Sequence, residues 1–311
     1  MSESIIDEAV RVLRAGGVVA LPTETVYGLA ASIDRPEAVR RIYGIKGRPA
    51  THPLIVHVPS VADIGRYAAG DLVLLERLAA RFWPGPLTAV VERTGVVPDV
   101  VTGGQPTVAL RIVDHPLTAA ILKRLGSAVA APSANRFGRV SPTTAEHVRA
   151  DLGDDVDMVV DGGPSRVGIE STIVDLTGEV PAILRAGMIG ARAIGEALGV
   201  PVVTRAGGAV RAPGMLAAHY APRVPLFLID AAAIGAETTR RAAAGQRVGV
   251  LTLPEDPHSA ARALYATLRA LDTSGYDALL ATLPADIEAN AALRDRLRRA
   301  AAATAGPPDA T

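Results

Sequence analysis

The chain has 311 residues, a formal net charge of zero and no cysteine. Zero net charge argues against a chain-wide basic coat for nucleic acid, and the lack of cysteine excludes disulfides, thiolate metal sites and a cysteine nucleophile. Hydrophobic residues make up 49% of the chain and aromatic residues only 3%, which favours an α/β protein whose helices pack through small residues.

No stretch of the sequence approaches the roughly 20 unbroken apolar residues that a membrane-spanning helix requires. The first residues also lack the basic, apolar and small-residue order of a secretory leader. We therefore expect a cytoplasmic protein with no membrane partner.

The first 190 residues predict alternating helices and strands. Ser4 caps a first helix that ends before Gly16, Pro36 begins a second helix, and a third helical stretch runs from Ser60 to Phe82. We expect strands at 18–21, 54–58, 87–91, 108–113, 128–131, 158–160, 172–176 and 182–184, with further helices at 116–125 and 191–198.

The last third of the chain predicts a linker and a second, smaller domain. Residues 199–223 are rich in Gly, Pro and Ala and have no helical period. Beyond them, predicted strands at 224–229 and 248–253 alternate with helices at 231–244 and 259–271, which indicates a small parallel sheet. A final helix at 287–304 carries four arginines, and we favour a solvated terminal helix over an RNA-binding arm.

A cationic pair, Lys46 and Arg48, precedes the predicted strand at 54–58. Gly47 between them lets the backbone approach a ligand closely, while arginine offers phosphate a bidentate fork and lysine a point charge. The alternative is a pair of solvent-facing charges after a helix. The clustering of basic residues here predicts a pocket for the phosphates of a nucleotide rather than a broad nucleic-acid face.

Three polar residues of the predicted sheet are candidates for a second set of ligand contacts. His57 alternates with two valines and so points to the opposite sheet face from them. Thr25 follows the first strand and could line the same crevice, because ligands of open α/β sheets bind outside strand ends. Arg111 interrupts an apolar run, so we expect it to meet a carboxylate, from the protein or from a ligand.

Hydroxyl and amide groups also occur at predicted strand edges, in the turn from Ser133 to Asn135 and at Ser171. Ordinary turns contain the same residues, so their pattern alone leaves a structural role equally open. The sequence contains no nucleophile elbow, no P-loop and no Rossmann glycine fingerprint. Any nucleotide site in this chain must therefore bind its nucleotide without those motifs.

Taken together, five motifs resemble one family, threonylcarbamoyl-AMP synthase, in its long form with a YrdC-like domain and an additional C-terminal domain. The motifs are PTETVYGL at 22–29, the Lys46-x-Arg48 pair with HPLIVH at 52–57, the Ser133-x-Asn135 turn, STIVD at 171–175 and PGMLAAHYAP at 213–222. The linker departs from the family pattern at Ala212 and at the apolar residues 216–218, whereas His219 and Tyr220 match it and are expected to form a lid.

The resemblance implies a fold and a domain division. The expected fold is α/β: a twisted open mixed sheet of the YrdC-like type with helices, followed by a linker and a smaller, Rossmann-like α/β domain. The expected parts are a YrdC-like catalytic domain at 1–190, the linker at 191–222 and the C-terminal domain at 223–311.

The resemblance also implies an activity, a nucleotidyl transfer that makes threonylcarbamoyl-AMP and pyrophosphate from L-threonine, bicarbonate and ATP. The product would feed the threonylcarbamoylation of tRNA by a separate transferase. Mg²⁺ is expected on the ATP phosphates, with no protein carboxylate cluster to bind it, and no stable nucleic-acid complex is expected.

The family's binding positions map onto two sets of residues in this sequence. Those around threonine correspond to Thr25, His57, Arg111 and Ser171. Those around ATP correspond to Lys46, Arg48, His52, Thr107, Ala131, Ser133, Asn135, Ser141, Arg185 and Tyr220, of which Lys46 and Arg48 are also the expected catalytic residues.

Two other functions remain open at the level of the sequence. The first is an RNA-binding module of YrdC-like fold without synthase activity, which the zero net charge disfavours. The second is a different carbamoyl transfer, as in hydrogenase maturation, which would normally bring zinc-binding cysteine modules that this chain lacks.

Overall fold

A computed structural model of the chain describes residues 2–205, 212–214 and 218–305. It forms two compact units. The first contains Met1–Phe137, Pro142–Arg166 and Glu170–Met215, and the second contains Gly138–Ser141, Val167–Ile169 and Leu216–Thr311. The expected boundaries at 190 and 222 stay predictions, and the parts of the expected linker at 206–211 and 215–217 lie outside the described residues.

The first unit contains one sheet of ten strands. In chain order they are β1 (Val19–Leu21), β2 (Gly28–Ser32), β3 (Ile55–His57), β4 (Leu87–Glu92), β5 (Thr107–Arg111), β6 (Val129–Ala130), β7 (Met158–Val159), β8 (Thr172–Asp175), β9 (Ala182–Arg185) and β10 (Val203–Thr204). Their order across the sheet is β10-β9-β8-β4-β5-β3-β6-β2-β1-β7. Parallel and antiparallel pairs both occur, so the predicted mixed sheet is confirmed.

Eight α-helices belong to the described part of the first unit. They are α1 (Ser2–Arg14), α2 (Pro36–Lys46), α3 (Ile64–Tyr67), α4 (Val73–Phe82), α5 (Asp99–Thr102), α6 (Pro116–Leu125), α7 (Ala145–Leu152) and α8 (Ala191–Leu198). Short 3-10 helices occur at Val61–Asp63 and Gly153–Asp155. Within the residues that the structure describes, no helix of either unit combines the length and apolarity needed to cross a membrane.

The two faces of this sheet are covered differently. On one face, α2, α4 and α8 pack on alternate strand residues such as Val56, Val108 and Leu110 to form the main core. On the other face, α1 and α6 pack over β1, β2 and β6. Among the described residues, a further small cluster on that second face contains residues of strands and of a loop and none of a helix: Ile55, Val90, Ala109, Ile173, Leu184 and Ala212.

Several elements of the first unit differ from the sequence-based prediction. β2, α5 and α7 are additional, and β10 lies within the stretch expected to be an irregular linker. The helix expected from Ser60 to Phe82 is interrupted between α3 and α4, because Ala68 pairs with Arg93 and Gly70 adopts a φ of 80°. The first helix begins at Ser2, so Ser4 lies inside it rather than at its cap.

The second unit is built on a parallel sheet, as predicted, and this sheet has three strands. Its strands are β11 (Leu226–Leu228), β12 (Val248–Val250) and β13 (Ala278–Ala281), in the order β11-β13-β12. The central strand, β13, was not predicted. The helices are α9 (Ile234–Ala243), α10 (Pro257–Asp272) and α11 (Ala291–Ala302).

The C-terminal helix α11 is not solvated along its whole arginine series. Arg296 is only 1% exposed, and its guanidinium lies 4.8 Å from the centre of the Tyr220 ring. Such cation–π contacts strengthen when they are desolvated. The expectation of four solvent-facing arginines is therefore wrong for Arg296.

Gly187 allows the chain after β9 to pass directly over the start of β8. A Cβ atom at Gly187 would lie 2.3 Å from the backbone nitrogen of Thr172 and 2.8 Å from the carbonyl carbon of Ser171. These neighbours are backbone atoms that cannot rotate away. A side chain at Gly187 would therefore displace the segment that carries Ser171.

We expect Gly187→Ala to lower the free energy of unfolding by about 1–3 kcal/mol, the usual range for overpacking. Gly44→Ala is the matched control, because Gly44 lies inside α2 with nothing within 4 Å of the added Cβ. It should stabilise the protein by about 0.5–1 kcal/mol, because glycine loses more backbone entropy on folding than alanine. Urea titrations of both variants measure this, and equal effects of the same sign would contradict the expectation.

Candidate active site

His57 and Arg111 lie side by side on the second face of the sheet. β3 and β5 run parallel, and their register pairs His57 with Arg111. The alternation of strand residues puts both on the same face as Ile55 and Ala109, opposite the main core. His57 is 3% exposed and Arg111 is 4% exposed, so both polar side chains are buried.

Arg111 meets a carboxylate of the protein, which is one of the two partners that the sequence left open. Its Nη2 donates to Glu24 Oε1 at 2.7 Å and to Thr25 Oγ1 at 2.8 Å, and its Nε donates to the Gly85 carbonyl at 3.3 Å. Within the described residues, Nη1 makes no hydrogen bond. Arg111 thus has two guanidinium nitrogens, Nη2 and Nε, bound to the protein and a third, Nη1, whose donors can take a ligand carboxylate.

Glu24 is held by the turn that carries it. The Thr23 hydroxyl donates to the Val26 carbonyl at 2.5 Å and accepts from the backbone N–H of Thr25 at 3.1 Å, a local bond that favours such turns. The second carboxylate oxygen of Glu24 accepts from the Asp114 N–H at 3.2 Å. The turn and the end of β5 are therefore fixed to each other through a single buried carboxylate.

Ser171, just before β8, is held by two other side chains. Its hydroxyl lies 2.7 Å from the Thr88 hydroxyl. Arg185 donates from Nη2 to the Ser171 hydroxyl and from Nε to the Ser171 carbonyl, both at 3.0 Å. Arg185 Nη1 also donates to the Pro213 carbonyl at 3.1 Å. Arg185, expected beside ATP, thus contacts a residue expected beside threonine.

The four residues expected around threonine meet at one edge of the sheet, although not only at carboxyl ends of strands. His57 and Arg111 end β3 and β5, whereas Ser171 immediately precedes β8. The reason is that β4 runs antiparallel to β5 and parallel to β8. In a mixed sheet, the first residues of some strands lie at the same end of the sheet as the last residues of others. Gly85, which accepts from Arg111, belongs to the turn that leads into β4.

Lys46 joins the end of α2 to the turn from Ser133 to Asn135. Its Nζ donates to the Ser133 carbonyl at 2.5 Å and to the Asn135 carbonyl at 2.6 Å. Gly47 ends the helix in the left-handed conformation with a φ of 64°, which glycine adopts without strain. Three of the residues expected around ATP are thereby in contact.

Arg48 and His52 share an aromatic neighbour. The Arg48 guanidinium lies 5.6 Å from the centre of the Phe137 ring, and the His52 ring lies 5.7 Å from it. Arg48 Nη2 also donates to the Pro53 carbonyl at 3.0 Å. Arg48 is therefore packed against the protein and not a solvent-facing charge.

Burial lowers the pKa of Lys46 well below its usual value, and the nearby Arg48 lowers it further. Asp151 and Glu170 act in the opposite direction. A polyanion bound next to Lys46 would favour the charged ammonium in the same way. The electrostatics of this part of the site thus suit a ligand that brings its own negative charge.

The remaining residues expected around ATP are divided between the two units. Thr107 begins β5, four residues before Arg111, which corresponds to about 13 Å along a strand. Ala131 follows β6, and its N–H donates to the Ile55 carbonyl at 2.9 Å. Ser141 and Tyr220 belong to the second unit. There, the Ser141 carbonyl accepts from Arg269 at 3.3 Å, and the Tyr220 ring lies against Tyr265 and Arg296.

Three residues of the site were not selected from the sequence. Glu24 could have been found, because a buried arginine needs a carboxylate and the turn beside Thr25 supplies one. Thr88 could also have been found, as a hydroxyl between apolar residues in a strand. Phe137 gave no signal, because its contacts with Arg48 and His52 join segments far apart in sequence.

Metal binding by side chains finds no support in the described ranges, where no group of three or more His, Asp or Glu residues could hold an ion. The carboxylate closest to the candidate threonine contacts, Glu24, is already used by Arg111 and Asp114.

Burial lowers the pKa of His57 well below its usual value, and the neighbouring Arg111 lowers it further. In the unfolded chain a histidine titrates near about 6.5. Below that pH the unfolded chain binds a proton that the folded protein does not, so folding loses free energy as the pH falls from about 6.5 towards the lowered pKa of His57. Above about 6.5, neutral His57 contributes nothing to the pH dependence.

We expect His57→Gln to flatten the decline of unfolding free energy between about pH 6.5 and pH 5 by up to about 1.4 kcal/mol per pH unit. Urea titrations at several pH values measure the slope. An identical slope in the wild type and in His57→Gln would contradict a neutral, buried His57.

Comparison with known proteins gives matches along nearly the whole chain. A family model described as telomere recombination matches residues 11–187, and one described as the C-terminal domain of threonylcarbamoyl-AMP synthase matches residues 185–302. The threonylcarbamoyl-AMP synthase of Pyrococcus abyssi is 36% identical over 93% of this chain and 91% of its own length. That of Bacillus subtilis is 36% identical over 95% and 92%.

Solved structures agree with these sequence matches. A crystal structure of P. abyssi Sua5 complexed with L-threonine superposes with a TM-score of 0.92 at 36% identity, covering 96% of this chain and 94% of that one. A variant of the same protein with an adjacent histidine and tyrosine replaced by alanine gives a TM-score of 0.90. Fold, length and sequence together show that this chain belongs to the threonylcarbamoyl-AMP synthase family.

Proposed function

We propose that this chain is an L-threonylcarbamoyladenylate synthase, which makes threonylcarbamoyl-AMP and pyrophosphate from L-threonine, bicarbonate and ATP. The observation that carries the proposal is the presence of two separate buried groups of basic side chains in the first unit. Arg111 has donors suited to a carboxylate, and Lys46 with Arg48 forms a positive group suited to phosphates. The similarity to curated synthases over more than nine tenths of the chain supports the same function and gives no support to an RNA-binding module.

The threonine half of the proposed site is built around Arg111. Its Nη1 would receive the carboxylate of the amino acid, while Nη2 stays bound to Glu24 and Thr25. His57 beside it is neutral, because its pKa is lowered. A neutral imidazole adds no repulsion toward the threonine ammonium and can accept a hydrogen bond.

The ATP half of the proposed site is built around Lys46 and Arg48. Their charges would neutralise the triphosphate and stabilise the charge that develops on the leaving pyrophosphate. His52, Thr107, Ala131, Ser133, Asn135 and Arg185 are proposed to line the same nucleotide site. The expected contacts of Ser141 and Tyr220 with ATP, and the lid of His219 and Tyr220, stay predictions.

The proposed reaction needs little acid or base from the protein. The threonine amine combines with bicarbonate to give a carbamate and water. The carbamate oxygen then attacks the α-phosphate in line, and pyrophosphate leaves with the electrons of the broken bond. Positioning of the two reactants and neutralisation of charge supply most of such an acceleration.

Magnesium is proposed to enter as the complex of ATP rather than as a resident ion. Phosphate oxygens and water are ligands that Mg²⁺ commonly keeps in nucleotide sites. We further propose that the product passes to a separate transferase that modifies tRNA, and that the protein acts in the cytoplasm without a stable nucleic-acid complex.

We expect purified protein with ATP and magnesium to release pyrophosphate only when both L-threonine and bicarbonate are present. The reason is that the nucleophile, the carbamate, forms only from those two substrates. A coupled pyrophosphate assay with each substrate omitted in turn measures this. Pyrophosphate release that ignores threonine would refute the synthase proposal.

We expect Arg111→Ala to weaken threonine binding more than ATP binding, and Lys46→Ala to do the reverse. Loss of a charged hydrogen bond costs about 1.5–3 kcal/mol, so each dissociation constant should rise about tenfold or more for the affected ligand. Calorimetry with threonine and with a non-hydrolysable ATP analogue measures both.

The Arg111→Ala variant leaves Glu24 as a buried unpaired charge, which is strongly destabilising. The double variant Glu24→Gln/Arg111→Ala removes that charge and allows the binding measurement on a folded protein. Glu24→Gln alone is the control for the loss of the carboxylate. Equal losses of threonine and ATP affinity in both Arg111 and Lys46 variants would contradict the proposed division of the site.

A further inference from the structure

Ser171 and Thr88 form a fully buried pair of hydroxyls on the second face of the sheet. Both residues are 0% exposed, and their oxygen atoms are 2.7 Å apart. Parallel pairing of β4 with β8 sets Leu87 opposite Thr172, which brings the two hydroxyls together. From the distance alone, either oxygen could be the donor.

An acceptor on a bound ligand would decide the direction of that hydrogen bond. A buried hydroxyl hydrogen without an acceptor costs free energy, so buried hydroxyls almost always donate. Among the residues that the structure describes, the Ser171 oxygen is the only acceptor within hydrogen-bond distance of the Thr88 hydroxyl. In the described part of the protein alone, one of the two hydroxyl hydrogens lacks an acceptor whichever residue donates. With a substrate oxygen beside Ser171, both hydrogens have acceptors when Thr88 donates to Ser171 and Ser171 donates to the substrate.

Arg185 fills the other acceptor position of Ser171. Its Nη2 donates to the Ser171 hydroxyl oxygen at 3.0 Å, and an arginine can only donate. A serine hydroxyl has two lone pairs and one hydrogen. With one lone pair facing Thr88 and the other facing Arg185, Ser171 retains only its hydrogen, for which the described part of the protein supplies no acceptor.

We propose that Thr88 and Arg185 are positioning residues that fix the Ser171 hydroxyl as a hydrogen-bond donor to an oxygen atom of the amino-acid substrate. This inference rests on the proposed function, in which Ser171 lies beside threonine. It disfavours one orientation of the substrate. An ammonium group can only donate, and Ser171 could accept from it only by turning its own hydrogen to Thr88, which leaves the Thr88 hydrogen without an acceptor. The favoured orientation presents the carboxylate or the side-chain hydroxyl oxygen of the substrate to Ser171.

The test replaces Thr88 with valine, which has nearly the same shape and no hydroxyl. The Ser171 hydrogen then loses its fixed direction, because the lone pair that faced Thr88 is released. We expect Thr88→Val to raise the dissociation constant for L-threonine by roughly three- to tenfold, the value of one hydrogen bond. Binding of a non-hydrolysable ATP analogue should change less than about twofold.

Three further variants distinguish positioning from a general loss of stability. Thr88→Ser restores the hydroxyl and should recover threonine affinity. Thr102→Val removes another buried threonine hydroxyl, which donates to the Asp99 carbonyl in α5, and should leave threonine affinity unchanged. In Ser171→Ala, a second change of Thr88 to valine should cause no additional loss, because the two residues act through the same hydrogen bond.

A second ligand identifies which oxygen of the substrate accepts the hydrogen bond from Ser171. 2-Aminobutyrate has the carboxylate and amine of threonine and lacks its hydroxyl. If Thr88→Val weakens both ligands equally, Ser171 donates to the carboxylate, and if it weakens only threonine, Ser171 donates to the side-chain hydroxyl. Both results support the donor role.

The inference is overturned if Thr88→Val weakens threonine binding no more than Thr102→Val does, or if Thr88→Ser fails to restore it. Failure of the proposed function gives a different pattern, in which the wild-type protein itself shows no threonine-dependent pyrophosphate release. The wild-type control therefore separates the two failures.

Discussion

The candidate site depends on how the protein accommodates one buried cation. An arginine at the end of a sheet strand loses its hydration, and the cost is offset only by a carboxylate and well-directed hydrogen bonds. Arg111 obtains these from Glu24, Thr25 and the Gly85 carbonyl, so three separate segments converge on one guanidinium. The same arrangement leaves Nη1 without a hydrogen bond among the described residues. The protein contacts and the proposed ligand contact thus use different nitrogens of the same side chain.

The two faces of the ten-stranded sheet explain why the site lies where it does. Alternation sends valines and leucines of β3 and β5 to the main core, and His57 and Arg111 to the other side. Helices α1 and α6 cover only part of that other side. Among the described residues, the apolar side chains clustered beside His57 and Arg111 come from strands and a loop. Burial and the neighbouring Arg111 lower the pKa of His57, which favours its neutral form.

The sequence was sufficient to predict the fold class and most of the elements that have a clear hydrophobic periodicity. The mixed sheet, the parallel sheet of the second unit and helices α1, α2, α6, α8 and α10 follow from hydrophobic periodicity and from proline or capping signals. β2 and β13 were missed because their sequences, GLAAS and ALLA, are made of residues with weak strand preference. Both are fully buried strands with neighbours on each side, so tertiary pairing overrides local propensity.

The parts of the site formed by residues close together in sequence were predictable. Contacts between residues far apart in sequence were not. The pair Lys46 and Arg48, and the need of Arg111 for a carboxylate, could be read from short patterns. The partner of Lys46 could not, because it is the backbone of a turn more than eighty positions later. Thr88 contacts Ser171 across 83 positions, a distance at which no sequence spacing identifies a contact.

The position of β13 in the second unit has a consequence for the order in which that unit can form. It is the last of the three strands in the chain and the central one in the sheet, and β11 and β12 pair with it rather than with each other. During synthesis the chain emerges from its N-terminus, and domains fold as units once they are complete. β11 and β12 therefore have no hydrogen-bonded neighbour until Ala278–Ala281 has been made. A ribosome paused before that point would carry a chain with two unpaired strands, whereas the ten strands of the first unit would already be available to one another.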